Sequence, residues 1–321
     1  MKIGFYNDFR PCVVKSDGVV DVSSAVSGLQ GGSPQLLLEN IIRNFGFLRP
    51  RFQELEASGQ VIPFAEVRLR APVPRPGKVV CGQGNYMEGV KIDPFRPMKT
   101  FFKSPDAVIG PGDTIILPAY NPVIFNHEAE IVAVIGREAH NLQQAEALNY
   151  VFGYMTGCDV SARAPAAGEA ELPGDGLYGK SFDTFLPIGP YITTADEIAD
   201  PNDLDVKYWV NGTLRQEYNT SDMEHNLAYM IATLSHVMTL KPGDLIMGGT
   251  NHGGLGPLQD GDKGEIEIEG LGRQSNYVSD PYKRTWDPKG VRPRAEMQAR
   301  REAMKALPNP GTWPFTPPTK K

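Results

Sequence analysis

The sequence predicts a strand-rich α+β fold in which a small N-terminal domain precedes a larger one, and three observations carry that prediction. Short apolar runs such as VIGPGDTIILP, AEIVAVIG, LDVKYWVNG and GEIEIEGLG recur between Val79 and Val278, each bounded by Gly, Pro, Asn or Asp, the pattern of many short strands. Helical spacing of apolar residues is confined to a few segments. Between the two parts lies APVPRPGK (Ala71 to Lys78), where each Pro removes a backbone donor, so that the stretch reads as a linker.

In chain order, Lys2 to Tyr6 reads as a strand, and SPQLLLENIIRNFGFLRPRFQELEASG as an amphipathic helical run beginning at Ser33 or Pro34. These belong to an N-terminal domain of residues 1–70, followed by the linker 71–78 and a larger domain of residues 79–280. Within the latter one helix is expected between Asp222 and Thr239, where Leu227, Ile231, Leu234 and Met238 recur at helical spacing until Pro242, Gly243 and Asp244 stop it. From Asp280 onward ten Lys and Arg face four acids, so residues 281–321 form a basic extension on an acidic chain. The segment Pro293 to Leu307 reads as helical, and the extension either docks through its charge or is a solvated tail.

With 321 residues and 40% hydrophobic composition there is ample material for a core. A net charge of -6 argues against nucleic acid as a partner, because such affinity rests on basic residues neutralising phosphates. Cys12, Cys81 and Cys158 form neither a CxxC pair nor an even disulfide set, which fits a reducing compartment. No apolar run approaches the length of a signal h-region or a membrane span, so a cytoplasmic protein with no membrane partner is expected.

The chemistry concentrates in FNHEAEIVAVIG. In a strand, residues i and i+2 share a face, so Glu128 and Glu130 would stand side by side while His127 and Ala129 point away. Two adjacent carboxylates invite a cation of the Mg²⁺, Mn²⁺ or Ca²⁺ type. The same pair on a solvated strand face is ordinary, but the run Ile131 to Ile135 indicates a buried strand, where uncompensated carboxylates are costly. A third carboxylate, Asp159, sits in GCDVSAR, followed by Arg163, which suits either an acidic substrate or an internal ion pair. GDGLYGKS (Gly174 to Ser181) satisfies a P-loop pattern in spelling, but no buried strand precedes it and no helix follows it. No GxSxG elbow occurs in the chain, so serine hydrolase chemistry has no support.

The ordered series GNYMEG, FFKSPDAVIGPGD, EAEIVAVIG, YVFGYMTGCDVSAR, GKSFDTFLPIGP, VNGTLRQ, LKPGDLIMGGT, Gly261-Asp262 and IEGLG resembles the fumarylacetoacetate hydrolase family over residues 79 to 278. The resemblance implies a mixed β-roll catalytic domain, a homodimer, and Mg²⁺ or Mn²⁺ held by Glu128, Glu130 and Asp159. It also implies that Lys180 lies beside the metal and substrate oxygens, and that Arg163, Thr250 and Tyr86 bind substrate. Lys103 matches a motif lysine and reads as structural. The departures are local: Gly89 stands where many members have a water-activating His, and Ala164 and Ala166 replace an Asp and a Gln. Asn251 and His252 follow the loop threonine where a Pro is common.

His252 is therefore a candidate replacement base, since imidazole exchanges protons near neutral pH, with a merely pocket-shaping residue as the alternative. His127 and His225 rank lower, one facing away and the other starting the expected helix. The expected activity is metal-dependent hydrolysis of a C–C bond in a β-diketone or acylpyruvate-like acid, a small acidic substrate. The alternatives are a decarboxylase or tautomerase of a 2-oxo acid on the same scaffold, or a non-catalytic binder.

Overall fold

All seven residues of the strand Ala129–Ile135 are buried, so both of its faces are covered by protein. That is why it reads as a continuous apolar run rather than an alternating one. It pairs antiparallel with Val151–Cys158 on one side and with Leu245–Met247 on the other. The computed structural model describes residues 1–29, 31–91, 95–120, 122–163 and 176–287. In it the main sheet continues outward through Val79–Gly82 and Thr100–Phe102 on the Leu245–Met247 side. On the other side it continues through Leu186–Thr194, Lys2–Tyr6, Arg10–Val14, Gly18–Asp21 and Ile62–Pro63.

The N-terminal strands thus extend the sheet that carries the acidic motif: Lys2 and Ile3 pair with Thr193 and Ile192. Ile3, Phe5, Leu38, Ile41 and Phe52 share one hydrophobic core with Ile131 to Ile135. The Pro-rich stretch also packs, with Ala71 and Val73 buried in that core, so the chain passes between its two parts without a free tether.

A second sheet of five strands runs in the order Thr213–Asn219, Asp205–Val210, Lys263–Ile268, Gly272–Ser279 and Thr114–Ile116. Buried and less buried residues alternate along Asp205–Val210, so this sheet covers the core with one face only. A short pair, Ile124–Asn126 with Ser161–Arg163, closes over the acidic motif.

The N-terminal helical run is broken in two, Pro34–Arg43 and Phe45–Ser58. Ser33 caps the first by accepting from Leu36 N at 3.2 Å, with Pro34 at the first helical position, where a missing donor costs nothing. Asn44 leaves helical geometry between the two, its side-chain amide donating to Asn40 O at 2.8 Å. The later helix spans Leu227–Val237, capped by Asn226. Its start is set by Asn226, whose side-chain oxygen accepts from Tyr229 N at 2.9 Å.

The three cysteines are free and buried, and no described helix is long and apolar enough to cross a membrane. The basic extension begins in an anchor: Arg284 Nε donates to Asp280 Oδ2 at 3.0 Å and Nη2 to Pro118 O at 2.8 Å, with the guanidinium over Phe125. Residues 288–321, including the expected helix Pro293 to Leu307, lie outside the described residues.

Phe52 is fully buried where the second helix meets the shared core. Phe52→Ala is expected to cost about 3–5 kcal/mol and to lower the thermal midpoint by on the order of 10 °C. A melt followed by circular dichroism checks this, and an unchanged midpoint would contradict the shared core.

Candidate metal centre

Glu128 precedes the strand Ala129–Ile135 and Glu130 is its second residue, so the two carboxylates project to one side. The antiparallel register sets Cys158 opposite Ala129, and Asp159 N donates to Glu128 O at 2.8 Å. This turn brings Asp159 alongside the pair. Ligand atoms of Glu128, Glu130 and Asp159, all buried, lie within 4.8 Å of one another. His127, two residues before that strand, points the other way: it stacks on Tyr208 with centroids 4.3 Å apart, and its Nδ1 lies 2.8 Å from Gln216 Oε1.

Three cations surround the trio. Lys180 Nζ donates to Glu128 Oε2 at 2.7 Å and to Asp159 Oδ2 at 2.5 Å. Lys103 Nζ donates to Asp159 Oδ1 at 2.5 Å and is wholly enclosed, consistent with the structural role read from its motif. Arg163 reaches Glu128 through Nη2 and Asn126 Oδ1 through Nε. Burial would depress the Lys180 ammonium, but Asp159 and Glu128 outweigh it and push it up to about 12, so this lysine is a fixed positive charge.

The three carboxylates are treated unequally. Burial favours the neutral form of Glu128, yet Arg163 and Lys180 hold it well below the usual carboxylate range. Glu130 is driven the other way by burial and by its neighbours Asp159 and Glu128, and its hydrogen-bonded partner among the described residues is the amide of Gly249 at 2.8 Å. A buried acid held against two others is the environment that a cation would relieve, and an all-oxygen donor set suits Mg²⁺ or Mn²⁺. The residues present therefore fit a divalent ion.

The loop after Leu245–Met247 completes the site. Gly249 has φ +84°, and a Cβ there would meet Asn85 Cβ at 3.1 Å, which is why glycine carries the amide to Glu130. Thr250 Oγ1 accepts from Gln216 Nε2 at 2.9 Å. Gln216 also donates to Asn251 O at 2.7 Å, while its Oε1 accepts from Ala129 N at 3.2 Å. Its carbonyl thus takes the Nδ1 proton of His127, whose imidazole burial holds down to about 4.

An open cleft gathers Glu128, Arg163, Lys180, Thr250 and His252, with Gly82, Gln83 and Phe101 along its walls. Most of the site residues expected from sequence are thus brought together. Tyr86 is not brought to the cleft: its ring is fully buried and packs edge-on against Tyr218 at 5.0 Å. Asn85 beside it donates to His225 O and Gly248 O, both at 2.8 Å, so the Asn-Tyr pair braces the wall behind Glu130. His225 is buried outside the cleft, stacked on Tyr229. Ala164 and Ala166 lie outside the described residues, as do Gly174 and Asp175 of the P-loop spelling. Lys180 ends a five-residue helix and the chain then enters the strand Leu186–Thr194, so no helix follows the motif.

Sequence reasoning missed Asn126, Gln216 and Glu88. Asn126 holds Arg163, Gln216 ties the acidic strand to the loop, and Glu88 bonds His252. Asn126 lies two residues from Glu128, and Glu88 and Gln216 lie in the motifs GNYMEG and VNGTLRQ, where only the folded contacts reveal their partners.

The pattern of the fumarylacetoacetate (FAA) hydrolase C-terminal domain matches residues 78–279, which include the trio, the lysines and the loop. The chain belongs to the fumarylacetoacetate hydrolase family. It is 32% identical over 288 residues to the maleylpyruvate hydrolase of Aquipseudomonas alcaligenes, covering 85% of this chain and 97% of that one. It is 34% identical over 271 residues to the mitochondrial oxaloacetate tautomerase of Rattus norvegicus, covering 81% and 84% respectively. Among solved structures, the maleylpyruvate hydrolase of Sphingobium sp. SYK-6, in complex with manganese(II) and pyruvate, superposes with a TM-score of 0.77 at 35% identity, covering 87% of this chain and 99% of that one. The maleylpyruvate hydrolase and oxaloacetate tautomerase relatives are enzymes, and the strand-rich fold matches that of the solved relative.

Glu130→Ala is expected to weaken Mn²⁺ binding by on the order of a hundredfold or more in titration calorimetry, with the fold retained. Binding at wild-type strength would remove Glu130 from the ligand set. A second expectation concerns acid stability. His127 is held at about 4 when folded against its ordinary 6.5, so below pH 6.5 the unfolded chain takes up a proton that the native ring refuses. The stabilisation is complete above pH 6.5 and falls towards pH 4 by at most about 3 kcal/mol. Denaturant titrations of His127→Asn should lack this component of the slope. Parallel slopes for the two proteins would sink the assignment.

Proposed function

We propose that this chain is a divalent-metal-dependent hydrolase that cleaves a C–C bond in an acylpyruvate-like 2-oxo acid or β-diketone. The observation that carries the reading is the charge balance of the cleft. Three carboxylates are matched by Lys103, Lys180 and Arg163 before any metal is added. With a divalent ion bound the cluster has surplus positive charge, which favours an anionic substrate over a neutral one. The maleylpyruvate hydrolase relatives, one of them bound to manganese and pyruvate, support the same class.

Glu128, Glu130 and Asp159 would hold Mg²⁺ or Mn²⁺, with Ca²⁺ chemically compatible. When bound, such an ion supplies Lewis acidity towards the oxygens of a 2-oxo acid. The chain's own side chains do the rest. Lys180 and Arg163 neutralise negative charge developing on substrate oxygens, and Thr250 lines the approach to them. His252, on the same cleft, takes a proton from water as the water oxygen bonds to the distal carbonyl carbon. The C–C electron pair then leaves with the pyruvate-like fragment, which receives that proton.

A second reading, tautomerisation of a 2-oxo acid, is favoured by the similarity to an oxaloacetate tautomerase, and it uses the same charges without an attacking water. Product analysis separates the two, because hydrolysis divides the substrate whereas tautomerisation leaves its mass unchanged. We also propose a homodimer, for which the exposed Ile116 and Tyr277 on neighbouring strands are candidate contacts.

Chelation is expected to abolish turnover of an acylpyruvate panel and added Mn²⁺ to restore it; turnover that survives chelation refutes the metal dependence. His252→Ala should lower kcat by roughly 10²–10⁴ while Mn²⁺ affinity stays put. Normal kcat with an altered KM would make His252 a pocket residue only.

A further inference from the structure

We propose that Glu88 is the positioning residue for His252, the two forming a carboxylate–imidazole dyad assembled from separate loops. The inference rests on the reading of His252 as the base. His252 Nδ1 lies 2.5 Å from Glu88 Oε1, and the backbone N of His252 donates to the same oxygen at 3.2 Å. One carboxylate oxygen therefore fixes both the ring and the backbone that carries it. Glu88 is buried, at 1% exposed, whereas the His252 side chain keeps 17% of its surface on the cleft side.

The position of Glu88 is imposed by its surroundings. Its φ is +59°, a left-handed conformation that a side chain with a Cβ rarely adopts. Asp222 holds it there: Oδ2 accepts from Glu88 N at 2.8 Å, Oδ1 from Gly89 N at 3.2 Å, and the Asp222 carbonyl from Met87 N at 2.9 Å. The same carboxylate accepts from Asn251 Nδ2 at 2.9 Å, and Asn251 Oδ1 in turn accepts from Gly253 N at 2.9 Å. Asp222 thus clamps the Met87 to Gly89 turn to the Asn251 to Gly253 turn, with Glu88 and His252 meeting between them. Backbone in a rare conformation, over-determined by surrounding bonds, is characteristic of functional sites.

The chemical consequence is a defined tautomer. With the Nδ1 proton donated to Glu88, Nε2 is left as the acceptor that takes the proton of water, and the carboxylate balances the imidazolium that forms. A carboxylate behind the ring thereby replaces the local arrangement lost where Gly89 stands.

The test compares Glu88→Gln, Glu88→Asp, His252→Ala and the double variant Glu88→Gln/His252→Ala in the Mn²⁺-loaded full chain, with an acylpyruvate as substrate. Glu88→Gln is expected to lower kcat by on the order of 10²-fold while KM and Mn²⁺ affinity stay close to wild type. The double variant should be no slower than His252→Ala alone, because the two residues act as one unit; a structural role would multiply the losses. Glu88→Asp, which keeps the carboxylate at a position where Asp tolerates positive φ, should fall between wild type and the Gln variant. It also carries the double-variant comparison should the Gln variant fail to fold. Wild-type kcat in Glu88→Gln beside a slow His252→Ala overturns the dyad alone, as do losses that multiply. Wild-type kcat in His252→Ala overturns the base assignment itself.

Discussion

Three carboxylates confined within 4.8 Å inside a protein set the terms for everything around them. At an effective dielectric of about 20, like charges at that separation repel by roughly 3 kcal/mol per pair, before any cost of burial is added. Such a cluster forms only where cations, protons or a metal oppose it. Lys103, just after the strand Thr100–Phe102, and Lys180, at the end of a short helix, reach the acids from places far apart in sequence, and Arg163 closes over Glu128 from the short strand beside Asp159. The central sheet supplies the stiffness, since a strand buried on both faces cannot move its carboxylates apart to relieve the repulsion.

What could be read from sequence divides along the range of the interactions involved. The shared face of Glu128 and Glu130, and the opposite facing of His127, follow from strand periodicity and hold in the structure. The strand at Lys2 to Tyr6 and the helix around Leu227 to Leu234 were legible for the same reason. Helix ends were less so. The break at Asn44 leaves the apolar spacing undisturbed, and the later helix begins at Leu227 where Asn226 caps it. Motif adjacency put Tyr86 against substrate, whereas Asn85 and Tyr86 both turn inward, one bonding two carbonyls and the other filling space against Tyr218. The joining of the N-terminal strands to the Leu186–Thr194 strand is a pairing across nearly two hundred residues, which no local pattern encodes.

The distribution of polar groups separates two tasks. Side chains bearing charge gather at the acids and along the cleft, where they act on whatever enters. The links that hold the surrounding loops are made largely by amides and backbone: Asn85 to the Gly248 carbonyl, Asn126 to Arg163, and Gly249 to Glu130. Asp222 is a carboxylate used as a clamp, and it grips backbone amides and an Asn side chain. The His252 imidazole is accordingly seated against Glu88 from a separate loop, away from the strand that carries Glu130.

Gln216 carries this division furthest. Its single amide group joins the strand bearing the acids to the loop bearing Thr250 and His252, with both its oxygen and its nitrogen committed. An amide neither gains nor loses a proton across the physiological range. The share of the connection carried by Gln216 is consequently indifferent to acidity and to ionic strength, unlike the bond from the Gly249 amide to the Glu130 carboxylate. Changes in the medium that alter how the carboxylates are charged leave this one link in place.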